Sequence, residues 1–302
     1  MTFDEADGAA LIALAGTEQD LDLVEEACAE LARRIERGDL MIGILPLDAA
    51  RVVVVGLSTA GRAGRPQAWI TLGRCYLGLH GHLLDPAEWP SRFSFPDDAG
   101  ALRCFAEAAA LGDRDGALLF ARAAREASPE AQEQAADFLR PYLGTDHRAE
   151  YQYGLVQQWL GDPAAAAGHH ERAAAQGNAD ATFELYVLYA TGDGVAPDDA
   201  VAHDWLLRAA ELGQPRALYN VAAGHATGNG FPQDSALAVA YYERSARGGN
   251  PRAAATLGVM YLTADGVDED PAAAARWFGV ADDLGYPVDG WLDQLGLRRP
   301  RP

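Results

Sequence analysis

Lysine is absent from this 302-residue chain, and all twenty-four of its cations are arginine. That removes a Schiff-base lysine, a Walker-A lysine and a lysine general base from the chemistry available to it. Cysteine is scarce as well. Cys28, Cys75 and Cys104 are odd in number and follow no regular spacing, which argues against a disulfide framework and for a reducing compartment. No stretch approaches eighteen uninterrupted apolar residues, so no membrane span is expected. The opening MTFDEADGAALIALAG lacks the basic segment of a secretion signal, and a cytoplasmic location is expected. Positive charge is outnumbered, with 44 acids giving a net charge of −20. Such a balance disfavours nucleic acid and anionic membrane, where clustered cations are needed. It is compatible with a basic protein partner or with a merely solvated acidic surface.

What is present is repetition. Residues 181–216, 217–252 and 253–288 can be laid over one another in blocks of thirty-six. Ala181, Ala217 and Ala253 head the blocks, and Gly194, Gly230 and Gly266 stand at their centres. Trp205, Tyr241 and Trp277 share a column, as do Gly213, Gly249 and Gly285, and Pro215, Pro251 and Pro287. A fixed period of this length marks units that bury their apolar faces only by stacking on one another. Within a block, Ala181, Leu185 and Tyr189 follow helical spacing. The segments TGDGV, TGNGF and TADGV then supply glycine for the left-handed end of a helix. Asp198, Asp234 and Asp270 stand where a second helix should be capped, and Pro215 should stop it from running on.

The same register reads the rest of the chain. An N-terminal tail or capping helix is expected over 1–19, the repeat array over 20–288, and a C-terminal cap and tail over 289–302. Trp291, Leu292 and Leu295 should cover the last core face. Residues 48–64 contain four consecutive valines, a strand signal on propensity. The ending RAGRPQA nevertheless aligns with ELGQPRA, so the period predicts a second helix there. Residues 68–112 form a unit interrupted by an insertion at about 79–97. Residues 149–180 form one lacking the Gly-x-Gly loop, and 117–147 a degenerate one.

The pattern A-x-x-x-L-G-x-x-Y, G-x-G-V, D-x-x-A, W-x-x-x-A-A-x-x-G resembles the Sel-one-like repeat family, relatives of the tetratricopeptide repeats. The resemblance covers most of the chain. It implies an all-α fold, an α/α right-handed superhelical solenoid of helix-turn-helix repeats. It also implies a non-enzymatic scaffold or adaptor that binds a protein or peptide on its concave face, without a cofactor. First helices would line that face, and the positions not used in stacking are then Ile70, Arg74, Tyr151, Leu155, Phe183, Val187, Tyr219 and Val259. Tyr151, Phe183 and Tyr219 fall in one column and would form an aromatic ladder, the kind of rigid surface that makes binding hot spots, or would pack between helices. Two other functions stay open. One is an acidic inhibitor or immunity protein covering a basic, nuclease-like partner. The other is an enzyme using the insertion, where His80, His82, Asp85 and Trp89 lie. No residue set forms a catalytic or metal site by spacing. His169 and His225 fall in aromatic columns and are expected to be packing residues.

Overall fold

The computed structural model describes residues 47–77 and 98–300, with Ala27 and Glu30 as isolated helical positions. The insertion at 79–97 and nearly all of the N-terminal segment lie outside the described residues. Every regular element among those described is helical. The chain divides into two compact units: residues up to Thr145 with Leu155–Gly161, and Asp146–Gly154 with Asp162 onward.

The first unit holds α1 (Leu47–Arg62), α2 (Pro66–Tyr76), α3 (Asp98–Ala110), α4 (Arg114–Ala124) and α5 (Pro129–Leu139), with a short 3-10 turn at Arg140–Tyr142. Each helix packs on the next around Leu57, Phe105, Phe120 and Leu139, all nearly solvent-free. The valine run lies within α1. Stacking of the kind that buries Leu57 and Ala60 outweighs the modest β-preference of valine. Helix α6 (His147–Trp159) straddles the division.

The second unit continues with α7 (Pro163–Ala175), α8 (Ala179–Thr191), α9 (Asp199–Glu211), α10 (Pro215–Thr227), α11 (Ser235–Arg247), α12 (Pro251–Thr263), α13 (Pro271–Asp283) and α14 (Val288–Leu295). The pairs α8–α9, α10–α11 and α12–α13 make the densest contacts. Their second helices begin as the columns require: Asp198, Asp234 and Asp270 accept bonds from backbone N–H groups two or three residues on. The first helices are capped too, by Asn178, Gln214 and Asn250, whose side chains accept from Ala181, Ala217 and Ala253 N–H. Pro215 and Pro251 therefore open a helix at its first position, where a missing N–H costs nothing, rather than only ending the previous one. Gly192 and Gly228 close α8 and α10 in the left-handed region, at φ 76° in both. The third repeat forces Ala264 into the same conformation, at φ 58°.

A size exchange between the two helices of a pair fills the core. Opposite the buried Phe278 ring stands Gly258, and a Cβ there would collide with the ring. Gly73 faces Phe105 and Gly154 faces His170 in the same way, with a Cβ falling 2.5 and 2.6 Å from the ring atoms. One repeat on from Gly154 and His170 the same two columns hold Tyr186 and Leu206, then Ala222 and Tyr242. Gly or Ala in the first column goes with a ring in the second, whereas Tyr186, which is only half-buried, goes with Leu206.

The C-terminal helix closes the last core through Val288 and Leu292, with Trp291 half-buried. Leu295, expected in that cap, is 48% exposed instead. Gly296 turns the chain left-handed just after it, so that Leu297 packs inward in its place. Arg299 then bonds Asp282 and Asp289 and ties the tail back, holding the Asp282 carboxyl below the usual carboxylate range.

Candidate interaction surface

The expected site residues distribute unevenly. In the first unit, Ile70 is buried at 3% exposure while Arg74, one turn on, is exposed. Leu155 is half-buried on α6. In the second unit, Val187, Tyr219 and Val259 are half-buried, on α8, α10 and α12. Phe183 is 3% exposed, its ring 5.3 Å from that of Tyr186 and roofed by the Arg216 guanidinium at 4.3 Å. Exposure of Ile70 and Phe183 is thus corrected: neighbouring helices, and in Phe183 an arginine, cover them.

The aromatic column does not form one ladder of free rings. Tyr151 leans on His170, 5.8 Å away, and Tyr219 meets Tyr242 edge-on at 5.4 Å. Phe183 and Tyr219 do share a cavity of about 550 Å³ at the N-terminal ends of α8, α10 and α12, with Arg216 and Arg252 at its sides. A second cavity, of about 460 Å³, opens beside it between α8, α9 and α10. Asn220 lines both, so the two adjoin on the same face. Because the first cavity gathers the starts of α8 and α10 and the second reaches their ends, these helices run parallel.

The paired histidines keep to their columns, and His169 packs beside the Tyr153 ring at 4.4 Å, but the fully buried column is the second. His170, not His169, is the core residue: it is fully buried, and neither ring nitrogen has a hydrogen-bond partner. Burial, with His169 adding to it, lowers its pKa to about 4. His169 instead reaches the buried Glu150 carboxylate, 2.7 Å from its Nδ1, and Arg172 bonds the same carboxylate at 3.2 Å. This cluster neutralises a buried acid on α6, a structural task that no spacing in the sequence signalled. His225 is a packing residue as its column suggested, its Nδ1 2.9 Å from the Pro232 carbonyl and its ring stacked on Tyr241.

Among the described residues no group of three or more His, Cys, Asp or Glu side chains could hold a metal ion. His80, His82, Asp85 and Trp89 lie outside them. No described helix is long and apolar enough to cross a membrane.

Antiparallel helix pairs, recurring at thirty-six residues and capped alike, define an all-α repeat solenoid. The Sel1 repeat profile matches residues 92–113, 142–178, 179–214, 215–250 and 251–286, more than half of the chain, and the protein belongs to the Sel1 repeat family. Proteins of this family generally mediate protein–protein interactions, on a fold that is typically non-catalytic. A Sel1 repeat protein from Oxalobacter formigenes has a similar solved structure, at 24% identity over 97% of this chain and 88% of that one, with a TM-score of 0.59. Weaker likenesses are a protective antigen of uropathogenic Escherichia coli (19% identity, 98% and 82% coverage, TM-score 0.36) and an immunity protein from Pseudomonas aeruginosa (16%, 87% and 83%, 0.40). No curated protein matches the chain significantly.

Proposed function

We propose that the protein is a non-enzymatic interaction module that holds a segment of a protein partner against the α8–α10–α12 face. The adjoining cavities that meet at Asn220 carry this reading. Apolar and aromatic side chains line them together with a few polar ones, the make-up of a recognition surface. Tyr219 on α10 lines the first cavity, and the half-buried Val187 and Val259, which share a column on α8 and α12, are the further contacts of this reading. Phe183 supports that face as a buried packing residue, and Ile70 is a packing residue of the first unit. Tyr151 is a contact only for a partner that extends beyond this face, and Arg74 and Leu155, in the first unit, are not assigned to it. The net charge of −20 favours a partner with basic residues, in the cytoplasm.

The test begins with affinity capture and mass spectrometry, and proceeds to titration of the purified partner by calorimetry. Val187→Arg/Val259→Arg should weaken binding by about a hundredfold, some 2.7 kcal/mol, with helix content unchanged by circular dichroism. A partner that binds the double variant as tightly as the wild type refutes the assignment. Affinity that collapses with added salt and ignores the double variant would instead favour an acidic surface capping a basic partner.

A further inference from the structure

The loop of each complete repeat turns on a central glycine in the left-handed region: Gly194, Gly230 and Gly266, at φ 75°, 73° and 75°. In two repeats this elbow sits directly on the first turn of the second helix belonging to the preceding repeat. A Cβ at Gly194 would collide with the Pro163 backbone, and one at Gly266 with the Ser235 backbone. The equivalent support for Gly230 is Asp199, at the start of α9. Around Gly230, however, an added Cβ would meet nothing within 4 Å. The middle junction is open, and the cavity of about 460 Å³ occupies it.

Two departures from the repeat accompany the opening. Phe231 replaces the valine found at 195 and 267, and Gly224 replaces the Leu188 and Met260 of its column. The Phe231 ring lies over Gly224, where a Cβ would strike it, and between His203 at 4.8 Å and His225 at 4.9 Å. A loop residue thereby takes the volume that a first-helix side chain fills elsewhere, and the elbow stands off from α9. Rings of Tyr186, His203 and Phe231 line the opening together with small residues, the buried Ala202 and the exposed Ala190. Asp199 is its one acid, and no lysine or arginine lines it.

We propose that this wedged-open junction is the anchor pocket for an aromatic side chain of the partner segment, with an arginine or lysine beside that anchor paired to Asp199. The assignment rests on the interaction-module reading and adds to it the chemistry of the segment. Flat rings insert between aromatic walls at small entropic cost, and a cation complements a rim whose one formal charge is negative.

The probes are the blocked dipeptides acetyl-Trp-Arg-amide, acetyl-Trp-Glu-amide and acetyl-Ala-Arg-amide, titrated into the full-length, isotope-labelled protein. Amide resonances of Gly224, Gly230 and Phe231 report occupancy. The Trp-Arg probe should shift these amides saturably near about 1 mM, with the Glu probe about fivefold weaker and the Ala probe silent. Gly224→Met/Phe231→Val installs the packing of the flanking repeats and should weaken the Trp-Arg probe about tenfold or more. Phe231→Val alone is the second variant, should the double one misfold. Asp199→Asn should abolish the preference for Arg over Glu while keeping tryptophan binding. Shifts at other amides, equal affinity for all three probes, or undiminished binding to the pocket variants would overturn the proposal. A natural partner that is lost on Val187→Arg/Val259→Arg but retained on Gly224→Met/Phe231→Val would overturn the anchor pocket while leaving the interaction module intact. A partner indifferent to both would refute the module itself.

Discussion

Replacing His170 by phenylalanine should make the protein more stable and less sensitive to acid. The imidazole is fully buried, neither nitrogen has a hydrogen-bond partner, and its ring lies against Gly154. Phenylalanine already occupies the same setting in two other repeats, where Phe105 faces Gly73 and Phe278 faces Gly258. At neutral pH the substitution removes unsatisfied buried polar atoms, each worth about 1–3 kcal/mol when left unpaired. With the ring volume accommodated, a net gain of about 1–3 kcal/mol follows. The acid dependence is larger. The pKa of His170 falls from 6.5 to about 4 on folding, so between those values the unfolded chain binds the proton more readily than the folded one. Stability contributed by the neutral imidazole is therefore complete above pH 6.5 and is lost as the pH falls through the window to 4. The difference of about 2.5 units corresponds to about 3 kcal/mol. Urea unfolding followed by circular dichroism at several pH values from 7.5 to 4 measures both effects. The gap between His170→Phe and wild type should widen steadily as the pH drops. Parallel pH curves, or a variant less stable than wild type at pH 7.5, would refute the account of a strained core histidine.

Further substitutions probe the repeat itself. Ala264→Gly relieves a left-handed alanine costing about 1–2 kcal/mol, against roughly 0.4–1 kcal/mol of extra chain entropy in the unfolded state, so a gain of about 0.5–1 kcal/mol should appear in the urea midpoint. Asp198→Ala, Asp234→Ala and Asp270→Ala should each lose about 1 kcal/mol, a removed helix cap, with helix content intact in the circular dichroism of the folded state. Gly258→Ala should cost about 1–3 kcal/mol by overpacking against Phe278. Much of that loss should return in Gly258→Ala/Phe278→Leu, and thermal melts of the single and double variants would expose any failure of this exchange.

The parts of the fold that repeat were legible in the sequence because several columns recur together. The caps at Asp198, Asp234 and Asp270 and the glycine helix ends follow from residue type alone. The helix over the valine run needed the register, since propensity pointed the other way. Other features depended on which side of a helix the neighbouring element covers. His169 and His170 are adjacent, and the second falls in the buried column of Leu206, Tyr242 and Phe278, whereas only packing reveals that the first turns to Glu150. Likewise the period placed Phe183 on a first helix but could not place Arg216 over its ring. The open junction left a trace in the alignment, phenylalanine at 231 among valines and glycine at 224 between leucine and methionine. Without the collisions at Gly194 and Gly266 for comparison, those letters say nothing of an opening.

The pairing of a notch with a ring has a consequence for how such a chain can lengthen. Gly73 with Phe105, Gly154 with His170 and Gly258 with Phe278 each lie inside one helix pair. Contacts from one pair to the next include bonds to the main chain, as when Asn250, the cap of α12, donates to the Pro215 carbonyl. A duplication copying an entire pair carries its matched halves along. A crossover falling between the two helices would join one repeat's notch to another's ring, setting a tyrosine such as Tyr186 against Phe278. Growth by whole units is thus the route that leaves every core filled.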